Sequence, residues 1–144
     1  MKFVVVYRDK TKEKGAGVVK LVNEEEEVLG QWECITGGSK LDPEEYGGLT
    51  PPIVWNMVEA IEYRQHPQGH KMTMARIYPM DRDDIETYKN RTFALDAVPF
   101  MIHHAGSSTG CIAVYDFEDC KKAINQAWID NGGYLEIEVF EVAF

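Results

Sequence analysis

The stretch Phe100-Met101-Ile102-His103-His104-Ala105-Gly106-Ser107-Ser108-Thr109-Gly110-Cys111-Ile112-Ala113-Val114 carries the residue types of nucleophilic catalysis. An apolar strand delivers two histidines, a run of small residues follows, and Cys111 closes it. A cysteine nucleophile needs a base or an imidazolium to raise its thiolate fraction, because a free thiol of pKa ~8.5 is mostly protonated at neutral pH. It needs backbone N–H groups facing the developing oxyanion. It also needs a backbone that lets substrate come close, which small residues allow. The run Ser108-Thr109-Gly110-Cys111 meets the last two needs. His103 or His104 meets the first, since eight positions separate His103 from Cys111. Side chains alternate along a strand, so His103 and His104 point to opposite faces and only one of them is the base.

Other candidates read as structure. Cys120 falls on the apolar face of a helix and Cys34 lies in a strand, which makes both core thiols. His66 and His70 have the i, i+4 spacing of a helical metal pair, but Pro67 and Gly69 between them turn the chain, so no metal site is expected. Trp55, Tyr78 and Trp128 read as core; Trp32 and Tyr46 are candidate cleft aromatics, and the sequence does not decide either way. Arg76, Arg82 and Arg91 are the cations available to an anionic ligand, and the sequence does not choose among them.

The elements that must position Cys111 are mostly strands. Phe3 to Tyr7, Val18 to Val22 and Val28 to Ile35 are short and rich in β-branched or aromatic residues. The acidic run Glu24 to Glu27 is a solvated turn. Ile53 to Tyr63 and Met72 to Tyr78 form a strand pair turned by Arg64 to Lys71. Pro99 to His104 is a buried strand. Gly37 to Pro52 and Pro79 to Thr92 read as long irregular loops of the kind that line binding sites. One helix is expected. Asp116 caps it, Phe117, Cys120, Ile124, Ala127 and Trp128 recur at helical spacing, and Asn131-Gly132-Gly133 stops it. Tyr134 to Val142 then alternates, with Leu135, Ile137 and Val139 on one face and Glu136 and Glu138 on the other. The pattern predicts a mainly β fold over residues 1–144, a β-sandwich or partly closed barrel with one packed C-terminal helix.

Composition narrows the partners. The chain has 144 residues, 44% of them hydrophobic, enough for one domain with one core. Its net charge of -9 offers no electrostatic footprint for nucleic acid and disfavours anionic membranes. No apolar run is long enough to span a bilayer, so no transmembrane segment is expected. Met1 to Arg8 reads as a strand, not a signal peptide, because its apolar stretch is short and no small-residue cleavage site follows. Three cysteines fit reduced thiols better than a disulfide framework. No cofactor is implied.

Ile102-His103 followed by Ser108-x-Gly110-Cys111-Ile112 resembles the signature of the L,D-transpeptidase catalytic domain, in the branch with phage-encoded and secreted-effector relatives. Weaker likeness extends upstream to Thr36-Gly37-Gly38 and Thr50-Pro51-Pro52-Ile53. The resemblance implies a β-sandwich with its site in a cleft, where a histidine is base and a cysteine is nucleophile against peptidoglycan stem peptides. It favours His103 over His104 as base. It implies Cys111 and Gly110 as catalytic positions and Ser108, Thr109, Gly38 and Arg91 as substrate contacts. The sequence departs from the family at Thr109, where a second histidine is usual, at Ala113, where Arg or Asn is frequent, and in its shorter His-to-Cys gap. These departures bear on transpeptidation more than on hydrolysis. The resemblance further implies synthesis in the cytoplasm and action in the periplasm or cell wall, after delivery by phage lysis or a secretion machine. Whether an immunity protein or a phage partner accompanies the chain is open. Two other readings stand beside this one: a papain-like cell-wall amidase, in which the cysteine would precede the histidine, and a non-catalytic cell-wall-binding or phage structural module.

Overall fold

The structure is a computed structural model that describes residues 3–9, 15–36, 42–44, 50–65, 71–89, 91, 100–104 and 111–142, with the backbone path alone at 3–9, 100, 101, 104, 141 and 142. Nine strands and two helices are described. They are β1 (Phe3–Asp9), β2 (Ala16–Val22), β3 (Val28–Thr36), β4 (Val54–Met57), β5 (Glu62–Gln65), β6 (Lys71–Pro79), α1 (Arg82–Thr87), β7 (Phe100–His104), β8 (Ile112–Val114), α2 (Phe117–Asp130) and β9 (Glu136–Val142). The expectation of a mainly β fold with one packed C-terminal helix holds.

All nine strands belong to one sheet in the order β4-β9-β1-β2-β3-β8-β7-β6-β5. The sheet curls until β4, at one end, pairs with β6 as well as with β9. That contact runs from Trp55↔Pro79 to Met57↔Ile77 and makes the sheet a partly closed barrel, with β5 continuing beside β6. Two pairings are parallel, β1 with β9 and β7 with β8. The remainder are antiparallel.

The inner face follows from period-two alternation. Val19 and Leu21, Trp32 and Cys34, Trp55 and Met57, Ala75 and Ile77, Ile102, Ile112 and Val114, and Ile137 and Val139 all point inward and are buried in one cluster. Helix α2 closes it with Phe117, Cys120, Ile124 and Ala127. Polar side chains of α2 fix its seat. Asn125 accepts from the Ile61 amide at 2.7 Å and donates to the Ile61 carbonyl at 2.9 Å, and Trp128 Nε1 donates to the Met57 carbonyl. The helix ends where Gly133 N–H reaches back to the Trp128 carbonyl at 2.8 Å, with Gly132 and Gly133 both at positive φ.

Several local expectations are met. The acidic run is an exposed turn held by Asn23 Oδ1, which accepts from the amides of Glu25 and Glu27, both at 3.0 Å. Cys34 and Cys120 are buried in the core, and all three cysteines are free thiols.

Other expectations are corrected. The strand expected over Ile53 to Tyr63 is two strands, because the chain leaves the β4–β6 ladder only after Val58, whose N–H still bonds the Arg76 carbonyl, and the Ile61 amide is taken by Asn125. The loop expected from Pro79 contains α1, whose N-cap Asp81 accepts from the Asp83 amide at 2.8 Å. Asp116 does stand at the N-cap of α2, but in a left-handed conformation and with no side-chain capping bond. Trp32 is a core residue, not a cleft aromatic, with its Nε1 donating to Asp119 at 2.9 Å.

Candidate functional site

Strands β7 and β8 lie side by side and run in the same direction, with Ile102↔Ile112, His103↔Ala113 and His104↔Val114 as partners. Ile102 and Ile112 face the barrel interior. Alternation therefore puts His103 and Ala113 on the other face. Cys111 precedes Ile112 by one residue and shares that face, packing against Met74 of β6 with Met72 alongside. Met74 is in turn the β6 partner of His103. His103 and Cys111 are thus diagonal neighbours on adjacent strands, gathered around one methionine. Two residues of rise and one strand spacing put their Cα atoms about 8 Å apart, a diagonal separation that an aromatic side chain spans.

The face opposite the core is itself covered here. His103 is 4% exposed and Cys111 5% exposed, and Met74 and Ala113 are buried as completely. The thiol therefore sits under cover and not at the open mouth of a cleft. Methionine suits this place, because its flexible, polarisable chain fills irregular space beside a sulfur and an aromatic ring.

Two rungs of side chains cross this face. Met74, His103, Ala113 and the half-buried Ile35 are level across β6, β7, β8 and β3. Arg76 is level with the Met101 position of β7, one rung from Met74 and His103 on the same face. Arg76 Nε and Nη2 donate to the two carboxylate oxygens of Glu59 at 3.0 and 2.7 Å, and the Arg76 amide donates to the same carboxylate at 3.0 Å. Arg64 Nη1 stands 3.2 Å from Glu59 and Arg64 Nε donates to the Met74 carbonyl at 3.3 Å. Burial opposes ionisation of Glu59, but the hydrogen bonds from Arg76 and the two guanidinium charges outweigh it and hold its carboxyl below the ordinary range. The same contacts raise the Arg76 guanidinium.

The other two cysteines are held as neutral thiols. Burial pushes the Cys34 thiol up to about 12, and burial, with smaller contributions from Cys34 and Asp119, pushes Cys120 up to about 12. Neither ionises near neutral pH.

Of the residues picked out from sequence, the structure brings together Cys111 and His103. Arg91 is buried, and its Nη1 donates to the Pro43 carbonyl at 2.7 Å, tying the end of the α1 segment to residues 42–44. Gly38, Ser108, Thr109 and Gly110 lie outside the described residues, as do Tyr46, His66, His70 and the side chain of His104. Among the described residues no three His, Cys, Asp or Glu side chains could hold a metal ion, and no helix is long and apolar enough to cross a membrane. Met74 and the Glu59-held Arg76 are site neighbours that sequence reasoning did not assign. Arg76 was one of three undifferentiated cations, and only the β6–β7 register singles it out. Compared with known protein families and with curated proteins, the chain matches none.

Proposed function

We propose that the chain is a cysteine peptidase of the L,D-transpeptidase type, acting on peptidoglycan stem peptides through a thioester on Cys111. One observation carries the reading: Cys111 and His103 share a face of adjacent parallel strands, packed around Met74. The resemblance of Ile102-His103 and Ser108-x-Gly110-Cys111-Ile112 to that family supplies the substrate class.

In the proposed reaction the Cys111 thiol passes its proton to His103, and the thiolate attacks the carbonyl carbon of an amide between an L-centre and D-Ala. The S–C bond forms, and backbone N–H groups of the 108–111 run receive the oxyanion. The C–N bond then breaks as the imidazolium returns the proton to the leaving amine. Water resolves the thioester: its oxygen attacks the acyl carbon, His103 takes its proton, and the C–S bond breaks to release the acid and the thiol. An amine in place of water gives transpeptidation. Thr109 and Ala113, where the family carries His and Arg or Asn, favour water as the acceptor. The enzyme works in the periplasm or cell wall after delivery by phage lysis or a secretion machine. Because Cys111 is 5% exposed, substrate must displace its cover to reach the sulfur.

That same burial favours a second reading, in which the fold is kept as a binding module and Cys111 is a packing residue beside Met74. Mass spectrometry of defined muropeptides decides between them. Wild type is expected to release D-Ala or join stems, and Cys111→Ala to do neither. Intact muropeptides after incubation with wild type would leave the binding module as the better account.

A further inference from the structure

We infer that Cys34 and Cys120, free thiols in this structure, are an oxidisable pair that closes to a disulfide under oxidising conditions and staples α2 to β3. The inference does not depend on the chemistry at Cys111. The sheet decides which thiols can meet. Cys34 points inward from β3 and Cys120 points inward from α2, and both belong to the one buried cluster that fills the barrel. Cys111 packs on the opposite face of the sheet, with Met74. Of the three pairings that three cysteines allow, only Cys34 with Cys120 avoids passing through the sheet.

Local contacts hold the two positions in register. Cys34 pairs with Val114 across β3 and β8. One residue on, the Tyr115 amide donates to the Glu33 carbonyl at 2.9 Å, and the chain then turns into α2. Cys120 lies in the first turn of α2, its amide donating to the Asp116 carbonyl at 3.2 Å. Its neighbour Asp119 accepts from Trp32 Nε1 at 2.9 Å, and Trp32 stands two residues before Cys34 on the same face of β3. The residues beside each cysteine are thus tied to residues beside the other. Cys34 is also close enough to add to the rise of the Cys120 thiol.

The reaction is thiol–disulfide exchange with a small disulfide, oxidised glutathione. One cysteine loses its proton to solvent and attacks a glutathione sulfur, forming a mixed disulfide as the first glutathione thiolate leaves. The second cysteine, deprotonated in turn, attacks the protein-side sulfur, the Cys34–Cys120 S–S bond forms, and the second glutathione thiolate leaves. Two protein thiols are oxidised, one glutathione disulfide is reduced, and the two thiolates released take up the two protons. Cys120 attacks first. Its helix starts from a left-handed Asp116 with no side-chain capping bond, whereas β3 is paired along both edges, so the first turn of α2 opens before the strand does. The cysteines are 86 positions apart, and closing so long a loop restrains the unfolded chain strongly.

The test equilibrates the full chain in glutathione buffers from fully reduced to fully oxidised, both folded and during refolding from urea, so that burial cannot conceal a bond the fold permits. Intact mass after acid quenching and non-reducing peptide maps are read for wild type, Cys111→Ala, Cys34→Ala and Cys120→Ala. Wild type and Cys111→Ala are expected to lose two hydrogens and to yield a peptide linked through Cys34 and Cys120. Cys34→Ala and Cys120→Ala should form no internal bond. Oxidised wild type should unfold at a urea concentration higher than the reduced protein by about 1 M or more. Wild type that keeps three thiols throughout, stops at a glutathione adduct, or links Cys111 would overturn the inference. So would a Cys34–Cys120 bond that leaves the urea midpoint unchanged or lowers it, since the bond would then not staple the native fold.

Discussion

Alkylation of the folded protein by iodoacetamide should separate the three thiols by a margin set by their surroundings. Cys34 and Cys120 are both shifted from the ordinary value of 9.0 to about 12. At pH 7 that leaves about one molecule in 10⁵ as thiolate, about a thousandfold less than an unshifted thiol. Both side chains also face the closed interior, packed with Trp32, Phe117 and Ile124. Under the proposed reading, Cys111 draws thiolate character from His103 along the diagonal between β7 and β8, so it should label before either core thiol. His103→Ala should slow Cys111 and leave the other two unchanged, and the pH profile of Cys111 should follow a coupled pair in wild type and a single thiol in the variant. Peptide mass spectrometry after timed quenches reads all three rates in one experiment. Labelling of Cys34 or Cys120 at the rate of Cys111, or a Cys111 rate indifferent to His103→Ala, would refute the coupling.

Gly30→Ala should destabilise the fold by about 1–3 kcal/mol in urea titration, because a Cβ there would run into the six-membered ring of Trp32, lying 2.9 Å from Cζ2 and closer still to Cη2. Trp32 cannot swing clear without losing its bond to Asp119, and a stability unchanged within experimental error would show that the ring is not held there. Glu59 makes stability acid-sensitive: its carboxyl is held below its ordinary 4.5, so its contribution is fully present above that value and is lost as pH falls through the lower folded value. Glu59→Gln should therefore flatten the acid limb of a stability-against-pH curve, whereas a limb of unchanged steepness would mean that Glu59 is not among the groups that set it.

The sequence made the site legible where local patterning decides the outcome. Alternation through Ile102-His103 and Ile112-Ala113 is enough to place one histidine and the cysteine on faces defined by buried isoleucines. What it could not supply is which strands lie side by side. The parallel pairing of β7 with the three-residue β8, and the closure of β4 onto β6, join segments whose partners are set by the whole sheet and not by nearby residues. The break in the strand expected over Ile53 to Tyr63 has the same origin, since the amide and carbonyl of Ile61 are taken by Asn125, distant in sequence. Helix α1 was the opposite case. Its Asp81 cap and Asp83-Asp84 first turn were local signals within the stretch from Pro79 to Thr92 that read as an irregular loop. The sequence left Trp32 undecided because only its distant partner, Asp119, reveals which way the indole faces. Asp116 occupies the cap position, but its left-handed backbone, at φ 50°, comes without the side-chain bond that the residue type suggested.

The most direct test of the central claim is intact-protein mass spectrometry of wild type mixed with a stem tetrapeptide and acid-quenched within the first turnovers. The account predicts a mass increase equal to the acyl half of the stem without D-Ala, mapped by peptide digestion to Cys111 and absent from Cys111→Ala. Release of D-Ala with no adduct on Cys111, or an adduct on any other residue, would contradict it.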